Sequence, residues 1–255
     1  MNKQAAKFGS GMALAASLLA MPALVPADDW PAAVRAIEQH GGEIVGEFDA
    51  PGGLRGFAAS FAPGQSVGVY LTPDNAHVIV GTLLDAQGRD LSSAAIDQVT
   101  LGPQTEKIWQ QLADSHWVLD GDADAPQIVY MFNDPNCPFC NRFWQQARPW
   151  VESGEAQIRH VMVGMLRADS AARAASIMAA DDPEAALLAH EQGNKSPAMR
   201  SIPAAVQAQL DSNLNLMREL GVQATPSSFA LNAEGMIQQH QGVPSPDIMQ
   251  RLMAP

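Results

Sequence analysis

The sequence predicts an α+β chain built as two domains joined by a helix, and three observations predict it. Short runs with period-two alternation fill residues 43–84, as an antiparallel sheet with one buried face requires. The continuous apolar run Gln127-Ile128-Val129-Tyr130-Met131-Phe132 reads as a strand covered on both faces. Helical spacing dominates from Cys140 to Leu220. A chain of 255 residues with 47% hydrophobic content has enough apolar material for two modest cores.

Residues 1–27 read as an export signal. Lys3 and Lys7 give a positive start, Met12 to Leu24 is mostly apolar, and Val25-Pro26-Ala27 places cleavage near Ala27, with Ala23 second. The competing reading is a membrane anchor. The stretch is short of the roughly 20 residues a span needs, and Pro22 and Pro26 interrupt its end. No later segment is long and apolar enough to span a bilayer, so stable membrane insertion is not expected. Lys3 and Lys7 are the segment's only charges, so cleavage takes the net charge from −12 to about −14. That balance argues against nucleic acid and anionic lipid as partners and tolerates polar or basic protein clients.

The first domain is placed at residues 28–92. A helix is expected at Ala33 to His40, ended by Gly41-Gly42, with strands at Glu43–Phe48, Leu54–Phe61, Ser66–Leu71 and His77–Leu84. Pro73-Asp74-Asn75 supplies turn chemistry between the last two. A unit this small buries little by itself, which favours association with a second copy. A linker region follows at 93–121. Within it Ile108, Trp109 and Leu112 share one face of a helix over Thr105–His116, with Trp117 near its end. Gly121-Asp122-Ala123-Asp124-Ala125-Pro126 marks the boundary to the second domain, residues 122–255.

There the strand ending at Phe132 is broken by Asn133-Asp134-Pro135-Asn136 and followed by Cys137-Pro138-Phe139-Cys140, the only two cysteines in the chain. A helix runs on from Cys140, with Pro149 expected to kink or end it. Next come a strand at Ile158–Val163 and helices at Ser170–Ala180, Pro183–Gln192 and Pro203–Leu220, the last closed by Gly221. A hairpin, Ser228–Leu231 with Met236–Gln241, and a final helix opened by Ser245-Pro246 complete the domain.

Closing so short a loop constrains the unfolded chain little, so the cysteine pair makes a poor staple and a good redox dithiol. A strand-loop-helix setting puts Cys137 at a helix N-terminus, where unpaired amides and the macrodipole favour a thiolate. Cys137 is therefore the expected exposed, attacking sulfur and Cys140 the resolving one, with Pro138 and Phe139 tuning the redox poise. A structural disulfide and a zinc site compete with this reading. Zinc needs four ligands, and the six histidines are scattered without ligand spacing, so no metal is expected. No cofactor beyond the Cys137–Cys140 pair is expected.

Thr225-Pro226 precedes the hairpin. A cis peptide there would present the Thr225 backbone to an extended client, and the residues alone leave cis and trans open. Trp144 and Trp150 read as core aromatics. Asp134 and Glu152 lie close enough in sequence to the thiols for proton transfer, against the commoner role of solvated carboxylates.

The run Asp134-Pro135-Asn136-Cys137-Pro138-Phe139-Cys140, with Phe143-Trp144-Gln145-Gln146-Ala147-Arg148-Pro149-Trp150, resembles the DsbG branch of the periplasmic DsbC/DsbG thiol:disulfide interchange proteins. Tyr70-Leu71-Thr72-Pro73-Asp74 and Ala224-Thr225-Pro226 carry the resemblance further. It implies a thioredoxin-fold catalytic domain with a helical insertion. A small cystatin-like α+β dimerisation domain and a linker helix would precede it. It further implies a periplasmic homodimer, Cys137 as nucleophile, Cys140 as resolving cysteine and Thr225-Pro226 as a cis-proline loop that binds client. A DsbD-type membrane reductant would keep the dithiol reduced for disulfide isomerisation, reduction and sulfenic-acid reduction. Phe139 departs from the tyrosine common in that branch. A second function class is a redox-independent chaperone-like client-binding protein. A DsbA-type oxidase fits less well, because that class lacks a dimerisation domain.

Overall fold

Trp30, Val34, Ile37, Ile44, Phe57, Val69 and Leu71 bury one another into a first core, and the elements around it form the N-terminal unit. The structure, a computed structural model, describes residues 30–62 and 65–254; the predicted export segment lies outside the described residues. The expected first helix is α1 (Ala32–Arg35) followed by a 3-10 turn, Glu38–His40. Val34 in α1 and Ile37 just before the turn face the core, while Glu38–His40 are exposed.

Strands β1 (Glu43–Asp49), β2 (Arg55–Ala62), β3 (Gln65–Leu71) and β4 (Val78–Gly81) pair antiparallel in the order β1-β2-β3-β4. β4 is shorter than the predicted His77–Leu84, and after Gly81 only an isolated bridge, Leu84 to Asp90, remains. Its outer edge carries no strand among the described residues, and Ile79 and Val80 are exposed.

The linker helix α2 (Ser93–Ala113) begins twelve residues before the predicted Thr105. Gly102-Pro103 hides its first half from sequence, yet the helix continues through Pro103. Two contacts carry it through. Asp90 accepts backbone hydrogen bonds from Ser92 and Ser93 at its start. Val99 lies so close over β1 that a Cβ on Gly46 would sit 2.5 Å from its Cγ1. The second half of α2 belongs to the other core: Trp109 meets Tyr130 edge-to-face at 5.0 Å, and Leu112 is fully buried.

The second sheet runs β5-β7-β6-β8-β9. Its strands are β5 (Trp117–Asp120), β6 (Gln127–Asn133), β7 (Ala156–Met162), β8 (Ser227–Leu231) and β9 (Ile237–Gln241). The parallel pair β6–β7 lies inside antiparallel neighbours. β5 was not expected: four residues directly after a helix carry too short a pattern to register as a strand. The sequence assigns them to the linker region, whereas they pair with β7.

β6 reads as uniformly apolar because both its faces are covered. Val129 and Met131 pack against α3 (Pro138–Glu152) and α7 (Pro246–Met253). Tyr130 and Phe132 face α2 and the end of α6 (Ala204–Glu219). α4 (Ser170–Met178) and α5 (Pro183–Glu191) form a helical insertion after β7 with their own core of Val118, Met162, Ala174, Ala175, Ile177, Leu187 and Leu210. Pro149 does not end α3, which runs on to Glu152 with the loss of a single backbone hydrogen bond. α6 ends at Glu219 with Leu220 as its C-cap, and Gly221, at φ +69°, takes the C′ position predicted for it. The fold is thus α+β, and among the described residues no helix is long and apolar enough to cross a membrane.

Candidate active site: the Cys137–Cys140 pair

β6 ends at the centre of its sheet and delivers Asn133-Asp134-Pro135-Asn136 to the start of α3. Cys137 is the N-cap of that helix and Pro138 its first residue, a position where a missing N–H costs nothing. The Cys137 sulfur accepts a hydrogen bond from the Cys140 backbone amide at 3.3 Å. Its thiol also lies 3.3 Å from the Thr225 carbonyl oxygen, to which it donates. Both cysteines are free thiols, and Cys137 is not exposed as expected: with the Thr225 backbone against its sulfur it is 6% exposed, and Cys140 is 1%.

The two sulfurs are electrostatically unlike. Cys137 is brought down to about 6, first because the Cys140 thiol points its hydrogen at it. The backbone N–H groups of Cys140 and Phe139 add to that pull, against the opposing cost of burial. Cys140 is raised well above the ordinary thiol range, first by burial and then by the neighbouring Cys137. A ready thiolate therefore sits beside a protonated reserve.

Thr225-Pro226 is a cis peptide, and both residues are buried against the dithiol. The Pro226 carbonyl accepts from Gly242, which ties this loop to the end of the β8–β9 hairpin. Phe139 is 52% exposed, with the Arg142 guanidinium 5.6 Å from its ring centroid. Of the other residues weighed from sequence, Trp144 is buried, Trp150 half-buried and Glu152 exposed at the far end of α3.

Asp134 is neither a solvated carboxylate nor a free base. It is 1% exposed, and its oxygens accept from the Asn136, Met165 and Leu166 amides and the Ser170 hydroxyl at 2.8–2.9 Å. It clamps the loop before Cys137 to the loop after β7. His190 was missed by sequence reasoning. Its Nδ1 accepts from the Ser196 amide at 3.0 Å, so Nε2 carries the hydrogen donated to the Pro135 carbonyl at 2.8 Å. Burial lowers its pKa, which favours this neutral form. Glu191 next to it accepts from Asn133 and Asn141, tying α5 to both ends of the dithiol loop. Behind the helix, Arg148 forms a bidentate pair with Asp120 on β5 and stacks 4.3 Å from the Trp144 ring centroid. Burial acts to raise Asp120, but hydrogen bonds from His160 and Arg148 prevail and hold it at about 2. No local pattern signals the ties that join separate elements, because their partners lie 28 to 58 residues apart.

Residues 122–254 match the thioredoxin-like domain family. Over 247 residues the chain is 46% identical to the thiol:disulfide interchange protein DsbG of Pseudomonas aeruginosa, covering 96% of each. It is also 39% identical to the Escherichia coli protein of the same name, over 92% of this chain and 96% of that one. This chain belongs to the DsbG family of thiol:disulfide interchange proteins. Among solved structures, the catalytic domain of Proteus mirabilis ScsC is similar at a TM-score of 0.49 and 20% identity, covering 59% of this chain and 95% of that one. As a family member the chain is a disulfide isomerase or reductase with a thioredoxin-like domain, and the pair described above is its one pair of cysteines.

Proposed function

We propose that the protein works from the reduced dithiol on oxidised clients. The observation that carries this reading is the contrast between a Cys137 thiol lowered to about 6 and a buried Cys140 held protonated beside it. The Cys137 thiolate attacks a client disulfide; a Cys137–client bond forms, the client S–S bond breaks and the departing sulfur takes a proton. With a client sulfenic acid the S–O bond breaks instead and water leaves. Either adduct removes the negative charge from Cys137, and with it two of the influences that raise Cys140. Cys140 then loses its proton more readily, attacks Cys137, and releases the client thiol. The redox equivalents reside in the pair itself, with no metal or organic cofactor. Pro138 and Phe139, at the first turn of α3, tune its potential.

Thr225 and Pro226 are the proposed client-binding edge, supported by the Thr225 carbonyl 3.3 Å from the Cys137 sulfur. A client strand lying along this backbone would bring its cysteine to the nucleophile. Compartment and partners follow the same reading. Residues 1–27 direct export to the periplasm, a DsbD-type membrane protein returns electrons to Cys137–Cys140, and the N-terminal unit forms a homodimer. A chaperone-like reading draws support from Phe139, Met165 and Leu166, which are exposed near the dithiol.

Mixed-disulfide trapping with Cys140→Ala tests the mechanism. Captured clients with single cysteines point to sulfenic-acid reduction, and clients with several disulfides to isomerisation. Retention of reductase activity by Cys137→Ala would overturn the mechanism. If Cys137→Ala/Cys140→Ala suppresses aggregation as well as the parent does, while dithiol turnover is negligible in the parent, the chaperone reading prevails.

A further inference from the structure

Cys137 stands between two loops. The Thr225-Pro226 loop leads into β8 on one side of β6, and the segment after β7 lies on the other. On the β7 side a cleft of about 490 Å³ opens beside Cys137, and Arg167, Arg173 and Lys195 line it. The chain carries only 15 Lys and Arg against 27 Asp and Glu, so three cations around one cleft run against its overall charge.

Among the described residues, the carboxylates nearby pair with one of these cations and leave the other two unpaired. Asp169 pairs with Arg173 at 2.7 Å, which leaves that guanidinium largely neutralised. Glu191 is buried behind Asn141, and Asp134 is filled by its four hydrogen bonds. Arg167 and Lys195 are exposed and have no carboxylate partner among the described residues. Among the described residues the Lys195 ammonium donates only to the His190 carbonyl, at 3.2 Å.

We propose that this cleft is a carboxylate subsite that selects clients with acidic residues flanking the target cysteine, taken by Arg167 and Lys195. The proposal rests on the thiol-exchange reading above and names the client chemistry for it. It also predicts an order opposite to that of the whole molecule. A net charge of −12 repels acidic peptides at long range, so without a local subsite basic peptides would react faster.

Three single-cysteine peptides with Glu, Gln or Lys flanks, each capped as a mixed disulfide with mercaptoethanol, test it. The reduced protein transfers two electrons to the capped disulfide, which releases peptide thiol and mercaptoethanol and leaves Cys137–Cys140 oxidised. Second-order rate constants are read at 0.15 M salt, where fields beyond about 8 Å are screened. The Glu peptide should react about three- to tenfold faster than the Lys peptide, the range one or two exposed ion pairs supply. That ratio should fall to one or below in Arg167→Gln, and in Arg167→Gln/Lys195→Gln, with the Gln peptide as each variant's reference. The same ratio should shrink for the unaltered protein as salt is raised, which keeps the test independent of how the variants fold. Equal rates, or a faster Lys peptide, would overturn the subsite while leaving thiol exchange intact. Failure to reduce even the Gln peptide would overturn the exchange reading itself. Acceleration seen only when a Gln peptide is capped with glutathione would move the carboxylate from client to cap and overturn the assignment.

Discussion

At about 6, Cys137 is roughly nine-tenths thiolate at pH 7, whereas an ordinary thiol near 8.5 is only a few per cent ionised. Alkylation by iodoacetamide should therefore rise with a midpoint near pH 6 at Cys137, with Cys140 silent until well above the ordinary thiol range. Peptide mapping of the labelled sites against pH checks both. Because the Cys140 thiol is the first cause of the depression, Cys140→Ala should move the Cys137 midpoint upward. An unchanged midpoint would assign the pull to the backbone amides and the helix terminus instead. The sign for stability follows from the same shift. A thiol depressed in the folded state stabilises the reduced fold above its unfolded pKa, and that gain is lost as pH falls through about 6. Between pH 8.5 and 6 the reduced protein should lose thermal stability relative to the Cys137→Ala variant, which lacks this titration. Denaturation midpoints of both across that window measure it.

Between elements, the active-site loop is held by partners distant in sequence. Asp134→Ala would remove four hydrogen bonds and leave the Met165 and Leu166 amides without their acceptor. A loss of about 2–4 kcal/mol is expected, read from denaturant unfolding, together with slower client trapping. Gly164 serves the same junction by close approach, since a Cβ there would lie 2.4 Å from the Ala171 backbone at the start of α4. Gly164→Ala should displace the wall that carries Arg167, and so should alter trapping kinetics more than the adjacent exposed Met165→Ala does. These contacts mark the limit of what was legible in advance. The β6-loop-α3 unit was readable because an apolar run, a turn cluster and a proline at the first helical position are all local signals. The start of α2 was not, since Gly102-Pro103 imitates a helix break that the Asp90 hydrogen bonds and the packing against β1 override. Strand β5 was too short to show a period, and the Asp134, His190 and Glu191 ties join residues that only the folded sheet brings together.

For the whole molecule, the open question is what covers the N-terminal sheet. Its core gathers eight buried apolar residues, few for an independent domain, and α2 shares only its first half with it. Beyond β4 no strand pairs among the described residues, while Ile79 and Val80 on that strand are 57% and 49% exposed. An unpaired apolar edge invites association, and a second copy could pair with it and cover those side chains. That is the physical case for the proposed homodimer. It places the interface far along the chain from Cys137, so the two functions should separate. Ile79→Lys/Val80→Lys should sediment as a monomer at micromolar concentration while still reducing a small disulfide at close to the parent rate. Among the described residues β4 hydrogen-bonds only to β3, and both residues are solvent-facing, so the change should cost little stability in the isolated chain. A variant that stays dimeric would move the interface elsewhere, and a parent monomeric at every concentration would remove the dimer from the proposal. If the monomer keeps small-disulfide turnover but loses action on multi-disulfide proteins, the second copy's contribution is to hold the client rather than to supply chemistry.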